Sequence, residues 1–331
     1  MSEYRQAGVD LDSHGRLIAR LRDAAAEAGR PEVLQAVGPF AGAIGLPAGA
    51  RDPVLVASTD SVGTKVLLAA ACGRFREVGR DVVVHCANDV ATSGAAPLFF
   101  LDYLAVHRLE ADAVLEIVDG IAGACRDAGC ALLGGETAQL PDLYREGTWD
   151  LAGTMVGTCA RPDLVAPAGR PGDAVVGLPS SGLHTNGYSL VRRVLERTGA
   201  DVQAAADMLL CPSRLYSPDV ARLRAAGATL RGLAHITGGG LPGNLNRALA
   251  PGADAVLDPG AWHRPAVFRW LQDLGGIAED EMRRVFNLGI GFCVLVPGAE
   301  AEAVLRLLPG ARRIGEVVPG GGAVRFSDPG R

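Results

Sequence analysis

Aromatic residues are scarce: 8 Phe, 5 Tyr and 3 Trp in 331 positions. So few flat side chains argue against a platform on which nucleic-acid bases stack. Positive charge is not in excess either. Lys and Arg number 32 against 37 Asp and Glu, for a net charge of −5 and a pI near 5.7. That balance offers no electrostatic footprint for nucleic acid or an anionic membrane. No apolar run approaches the ~20 residues that a membrane helix needs. The opening Met-Ser-Glu-Tyr-Arg is charged and lacks the apolar core of a secretory signal. The seven cysteines (Cys72, Cys86, Cys125, Cys130, Cys159, Cys211 and Cys293) are scattered and form no Cys-x-x-Cys. Reduced thiols in a cytoplasmic protein are expected, and no zinc site. The P-loop is missing too, because Gly63-Thr64-Lys65 lacks the glycine that should precede it.

What is present is a chain rich enough in apolar residues, 48%, to bury a sizeable core, with 21% charged residues on its surface. Its length suggests two domains. The 44 glycines cluster between apolar runs, the pattern of backbone-lined ligand loops and not of low complexity. Residues 1–12 read as an N-terminal arm. Asp12 or Ser13 is expected to cap a helix striped by Leu17, Ile18 and Leu21. A Gly-rich loop, 37–45, follows. Strands are expected at 53–58, 98–107, 130–133 and 149–159, and helices after Lys65, over 81–93 and over 111–128. The segment 161–172 holds three prolines and two glycines and marks a domain boundary, giving 1–165 and 166–331. The second half alternates strands (174–178, 230–236, 253–257, 292–296, 314–318) with helices (188–197, 220–226, 244–249, 265–274, 279–284, 299–308). Residues 204–218 read as irregular and the tail as Gly-rich. The alternation makes this a mixed α/β chain.

Three carboxylates in apolar or small surroundings stand out in the first half: Asp60, Asp89 and Glu136. Each alone is explained by a helix cap or a turn. Together they suggest a divalent cation, since isolated carboxylates are costly to bury without a partner. The stretch Gly134–Pro141 is central: a short strand is expected to end in Gly134-Gly135, freeing backbone amides beside Glu136 and Thr137. Lys65 is placed to reach a phosphate as a point charge. In the second half, Ser180-Ser181-Gly182 and Thr237-Gly238-Gly239-Gly240 each follow an apolar strand and are expected to open a helix, which is the geometry of phosphate capture without Lys or Arg. His184 and His235 sit inside these segments. Either residue can be a structural histidine or a proton acceptor.

The motifs Ser58-Thr59-Asp60-x-Val62-Gly63-Thr64-Lys65, Asn88-Asp89, Pro97-Leu98-Phe99-Phe100-Leu101-Asp102-Tyr103, Gly134-Gly135-Glu136-Thr137-Ala138, Ser180-Ser181-Gly182-x-His184-x-Asn186-Gly187-Tyr188-Ser189-Leu190, His235-Ile236-Thr237-Gly238-Gly239-Gly240 and Phe286-Asn287-x-Gly289-x-Gly291 occur in this order. Through them the chain resembles the phosphoribosylformylglycinamidine cyclo-ligase (aminoimidazole ribonucleotide synthetase) family, from Tyr4-x-x-Ala7-Gly8-Val9-Asp10 almost to the C-terminus. The resemblance implies a homodimer formed through the sheet of the N-terminal domain, with ATP near that interface. It implies ATP- and Mg²⁺-dependent ring closure of a small phosphoribosyl substrate in purine synthesis. It carries Mg²⁺–ATP binding to Asp60, Asp89 and Glu136, with Lys65 and Thr137 beside them. It carries substrate binding to Ser180, Ser181, Gly182, Asn186, Thr237, Gly238, Gly239, Gly240 and Asn287, and catalysis to Lys65, His184 and His235. Ser61, Gly38-Pro39-Phe40-Ala41-Gly42, Gly243, Gln139 and Asp142 depart from the pattern. These departures leave open two alternatives: a sister enzyme that activates a different phosphorylated or amide substrate with ATP, or a non-catalytic nucleotide-binding homologue.

Overall fold

Two sheets, each sided by helices, account for most of the chain. A computed structural model of the protein describes residues 20, 22–37, 41–108 and 110–327. The expected N-terminal arm, the cap at Asp12 or Ser13, the stripe residues Leu17, Ile18 and Leu21, and Gly38–Phe40 lie outside the described residues. The chain divides into two compact units. The first is Met1–Ala87 with Pro97–Ala160, and the second is Asn88–Ala96 with Arg161–Arg331. The turn at Arg161 falls within the Pro- and Gly-rich segment. The assignment of Asn88–Ala96 to the second unit has no counterpart in a linear reading of the sequence.

The first unit holds a short pair, β1 (Val33–Gln35) and β2 (Ala43–Ile44). It also holds a four-stranded sheet of β3 (Pro53–Ser61), β4 (Ala96–Val106), β5 (Ala131–Gln139) and β6 (Trp149–Ala160), in the order β3-β6-β4-β5. Besides a helical stretch at 22–27, its helices include α1 (Lys65–Cys72), α2 (Phe75–Ala91) and α3 (Ala111–Ala128). Helix α3 forms as its apolar spacing predicts, burying Val114, Ile117, Val118, Ile121 and Cys125, and it ends where Gly129 turns left-handed at φ 69°. Helices α2 and α3 touch backbone to backbone. A Cβ on Gly79 would lie 2.0 Å from the Ile117 carbonyl oxygen, and one on Gly120 would lie 2.1 Å from that of Arg76.

Two strands run further than their apolar residues suggest. Strand β3 continues through Thr59, Asp60 and Ser61, paired with Thr154, Gly153 and Ala152. Strand β5 runs through Gly134-Gly135-Glu136-Thr137 to Gln139, parallel to β4, with Tyr103 opposite Glu136. The Gly-Gly-Glu-Thr segment is therefore strand and not a turn. Gly135 serves close approach, because a Cβ there would meet Asp102 Oδ1 at 2.1 Å.

The second unit is built on a six-stranded sheet of order β12-β9-β11-β7-β10-β8. Its strands are β7 (Asp173–Pro179), β8 (Gly232–His235), β9 (Ala253–Leu257), β10 (Ile290–Pro297), β11 (Arg312–Pro319) and β12 (Val324–Phe326). Helices α4 (Tyr188–Thr198), α5 (Val202–Leu209), α6 (Ser217–Ala225), α7 (Gly240–Leu245), α8 (Ala266–Gly275), α9 (Glu279–Val285) and α10 (Ala301–Leu307) complete it. Period-2 alternation sorts β7 and β10 into two cores. Ala174, Val176, Phe292, Val294 and Val296 pack with Val220, Leu223 and Val304. Val175, Cys293 and Leu295 pack with Leu241, Leu245 and Ile314.

Three features of this unit were not expected. Helix α5 occupies the stretch read as irregular, capped by Asp201, whose Oδ1 accepts from Gln203 N at 2.9 Å and Ala204 N at 3.2 Å. Within the Gly-rich tail, β12 pairs with β9 in parallel. It is held there by Asp254, whose Oδ1 accepts from the amides of Gly321 (2.7 Å), Gly322 (2.9 Å) and Ala323 (2.8 Å), while Oδ2 pairs with Arg325 at 2.7 Å. Those amides, Ala323 foremost, lower the Asp254 pKa. The third is a clamp between α8 and α9, where Glu279 accepts from Arg264, Gln272 and Arg283.

Candidate active site

In the first unit, the end of β3 presents Asp60, whose side chain is 46% exposed. Its Oδ1 accepts from Ser61 N at 2.7 Å, and its Oδ2 meets Nε2 of His85 on α2 at 2.9 Å. Asp60 is not the cap of α1. The N-cap of that helix is Thr64, without a side-chain cap bond. Glu136 is exposed and Thr137 half-buried on β5. Strands β3 and β5 are the two edges of the sheet, so Asp60 and Glu136 stand three strand intervals apart, on the order of 14 Å at ~4.8 Å per interval. Within one chain the structure does not bring these two carboxylates together. Glu136 instead neighbours Asp102, whose carboxyl is pushed up to about 7, first by burial and further by the Glu136 charge.

Lys65 requires a correction. It is not an outward point charge: its side chain is 0% exposed, and Nζ donates to Asp81, which is equally buried. As the first residue of α1, on the buried side with Val66 and Leu68, it lies in the core with a carboxylate in contact, which compensates the buried ammonium.

In the second unit, Asp89 Oδ1 bonds to His235 Nδ1 at 2.8 Å, with His235 4% and Asp89 29% exposed. Its neighbour Asn88 is a strut: Oδ1 accepts from Tyr216 N at 2.7 Å and Nδ2 donates to Arg214 O at 2.9 Å. His184 is in a different setting. It is buried, adopts φ 61°, and accepts from Ser181 N on Nε2 at 3.3 Å. Gly291 makes room for it, since a Cβ there would lie 2.6 Å from His184 Cε1.

The Ser180–Gly182 segment does not open a helix. Helix α4 begins at Tyr188, after Gly187 at φ 82°. Asn287 ties this segment down from the interior: Oδ1 accepts from Ser180 Oγ at 2.8 Å and from Gly289 N at 2.9 Å, and Nδ2 donates to Gly182 O at 2.8 Å. With Asn287 at 3% exposure, its side chain is engaged in shaping the loop. The triple glycine does open a helix, the six-residue α7. Asn244 braces it, donating from Nδ2 to the carbonyls of Thr237 (3.3 Å), Gly238 (3.2 Å) and Gly240 (2.8 Å) and accepting from Thr237 Oγ1 at 3.2 Å. Gly240 belongs to packing, because its Cβ would lie 2.0 Å from the Arg283 carbonyl oxygen. Gly238 is less crowded. A Cβ there would meet Asn186 Oδ1 at 3.3 Å, so the two loops approach each other through Asn186. Among the braces, His85 and Asn244 escaped the sequence reading. Nothing in the spacing ties residue 85 to residue 60. Asn244 lies seven residues past Thr237, and that helical spacing was its one signal.

Two loops each braced by a buried asparagine, with a carboxylate–imidazole pair beside them, are found in a chain that matches two domain families. Residues 42–159 match the AIR synthase related protein, N-terminal domain, and residues 170–327 match the corresponding C-terminal domain. The chain belongs to the AIR synthase-related family. Curated relatives include the phosphoribosylformylglycinamidine cyclo-ligases of a Synechococcus species (47% identical, covering 92% of this chain and 90% of the relative), of Bordetella petrii (46%; 95% and 94%) and of Sorangium cellulosum (49%; 91% and 90%). Solved structures share the fold at lower identity. A thiamine-monophosphate kinase from Stenotrophomonas maltophilia superposes with TM-score 0.70 at 21% identity, covering 94% of this chain and 95% of that one. A hydrogenase maturation protein in complex with ATP gives 0.71 at 22%, covering 95% and 90%. All seven cysteines are free thiols, and among the described residues no helix is long and apolar enough to cross a membrane.

Proposed function

We propose that the chain catalyses the ATP-dependent cyclisation of formylglycinamidine ribonucleotide to aminoimidazole ribonucleotide, with release of ADP and phosphate, as a cytoplasmic homodimer. The observation that carries this reading is the 46–49% identity to enzymes of that name over nine-tenths of both chains. The sister-enzyme alternative draws only on a likeness of fold.

The formamide oxygen of the substrate is a poor leaving group. ATP supplies the phosphoryl group that makes it a good one, and Mg²⁺ neutralises the charge on the phosphates. The amidine nitrogen then closes the ring within the same molecule, where proximity supplies much of the rate. The residues of this chain fit Mg²⁺ by their chemistry. Asp60, Ser61, Glu136 and Thr137 offer hard oxygen donors, and Asp60 is exposed enough to be reached. We assign the remaining roles as follows. Ser180, Ser181, Thr237 and Gly238 bind the substrate through backbone amides and hydroxyls, in loops whose shape Asn287 and Asn244 fix. His235 accepts the proton lost by the attacking nitrogen, because Asp89 steadies the imidazolium that forms. His184, with Nε2 committed to Ser181 N, shapes the loop.

The homodimer reading rests on the open face of the first unit's sheet. Leu55 is 60% and Tyr103 42% exposed there. Small or β-branched residues continue the face, with Ala57 opposite Val156 and Thr59 opposite Thr154, the two threonine hydroxyls 2.8 Å apart. Because Asp60 and Glu136 occupy opposite edges of this sheet, a site using both would take one from each copy. The reaction is tested directly by incubating the purified protein with ATP, Mg²⁺ and formylglycinamidine ribonucleotide. Formation of aminoimidazole ribonucleotide with stoichiometric ADP is expected, and ATP left intact would refute the assignment.

A further inference from the structure

We propose that His85 is a positioning residue for the metal–nucleotide site, acting through Asp60. The inference rests on the reading above in which Asp60 binds the metal ion. Asp60 ends a strand and nearly half its side chain is exposed. A short acidic side chain in that position can adopt several staggered rotamers, and a cation bound by it must first select one. His85 removes that freedom. Its side chain is 5% exposed, held inside α2, and Nε2 lies 2.9 Å from Asp60 Oδ2. An ionised carboxylate only accepts, so Nε2 carries the hydrogen. The other oxygen, Oδ1, is held by the amide of Ser61 at 2.7 Å.

One pin comes from the strand and one from the helix packed beneath it, so the orientation of the carboxylate is set by the fold before any ligand arrives. Each carboxylate oxygen has two acceptor positions. A half-exposed acid with a nearly buried imidazole behind it is poorly explained as a stability device, because an ion pair with such an exposed partner contributes little. It is well explained as a device that aims a ligand. Partners of this kind typically change metal affinity by about 10–100-fold when lost.

The test uses the full-length protein and a readout that needs no turnover: binding of Mn²⁺–ADP, followed by electron paramagnetic resonance of the manganese and by calorimetry. In His85→Gln the side-chain amide can place an N–H near the position of Nε2, whereas in His85→Asn it falls short. We expect His85→Gln to bind within about threefold of wild type and His85→Asn to bind roughly 10–100-fold more weakly, the range seen for such partners. Both should melt within a few degrees of wild type. In turnover, His85→Asn should raise the KM for ATP by the same factor while kcat moves less. Equal, wild-type-like affinity in both variants, with Asp60→Asn impaired, would overturn the role of His85 and leave the metal assignment standing. Wild-type affinity in Asp60→Asn would overturn the metal assignment itself, and this proposal with it.

Discussion

The sheet of the first unit and the sheet of the second bury their strands in different ways. Along β7 and β10 nearly every residue is buried, and successive residues feed two separate cores. Along β6 only alternate residues are buried: Leu151, Gly153, Met155, Gly157 and Cys159 face the helices, while Val156 and Thr158 between them are half-covered. A sheet with helices or strands over both faces is complete as it stands. Among the described residues the other face of the first unit's sheet is left partly open, and Asp60 and Glu136 lie on its two edge strands.

The comparison can be broken most decisively by removing bulk from each sheet. Phe292 is fully buried and stacks on Tyr216 at 5.3 Å. Phe292→Ala should cost about 3–5 kcal/mol, read as a lowered denaturant midpoint. Val156→Ala on the bare face should cost less than about 1 kcal/mol in the monomer. Equal losses would mean that the two faces are covered alike.

A second substitution asks what the first unit uses in place of a second covered face. Asp81→Ala removes the carboxylate that Lys65 Nζ contacts in the core, and breaking a buried pair from one side costs about 3 kcal/mol or more. The double variant Lys65→Met with Asp81→Leu should recover most of that, by thermal melting. A single variant as stable as wild type would show that water reaches Lys65.

The third prediction sharpens the difference at the bare face itself. Val156→Glu should leave the melting temperature of the monomer within a few degrees of wild type, yet weaken self-association by tenfold or more, about 1.4 kcal/mol. Light scattering across a dilution series checks it. A monomeric wild type at micromolar concentration would remove the function assigned to the face.

Much of this was legible in the sequence because it follows from period and punctuation. Helix α3 begins and ends where its apolar spacing and Gly129 place it, and β7 and β10 announce themselves as apolar runs. What escaped has a common cause: it depends on partners distant in the chain. Strand β5 continues through two glycines because β4 supplies its ladder, and no local preference favours that. Lys65 turns inward because Asp81 is there to receive it. Asn287 and His184 stand in a motif as candidate ligands, and the structure shows both hydrogen-bonded to the Ser180–Leu183 loop, through partners far from Asn287 in the chain. The Ser180–Gly182 and Thr237–Gly240 loops stood out by their glycines and hydroxyls and Asn287 by its motif, whereas Asn244 beneath the second loop offered only its spacing from Thr237.

The smallest expected effect lies in the second unit, at the Glu279 clamp. Its carboxyl is held down to about 2, chiefly by the hydrogen bonds from Arg264. A carboxylate whose folded pKa is lowered adds stability that is fully present above the unfolded value and is lost as pH falls through the folded one. Wild type should therefore exceed Glu279→Gln in melting temperature at pH 7. The gap should begin to close below about pH 5 and vanish near pH 2, the unfolded and folded values bounding the window. A gap that stays constant across that range would show that the clamp acts by packing and not by charge.

Asp254 gathers three consecutive amides of the Gly-rich tail onto one oxygen. Glycine loops at a surface ordinarily trade their amide protons with water almost at once. These three are held by the carboxylate, and Gly322 N donates to Ala253 O as well, so their release is expected to accompany β12 lifting from β9. In deuterated solvent, Gly321, Gly322 and Ala323 should keep their protons as long as the strand ladder beside them does. The edge of the six-stranded sheet thus carries its own clock, and slow exchange in a run of glycines reports whether the last strand is seated.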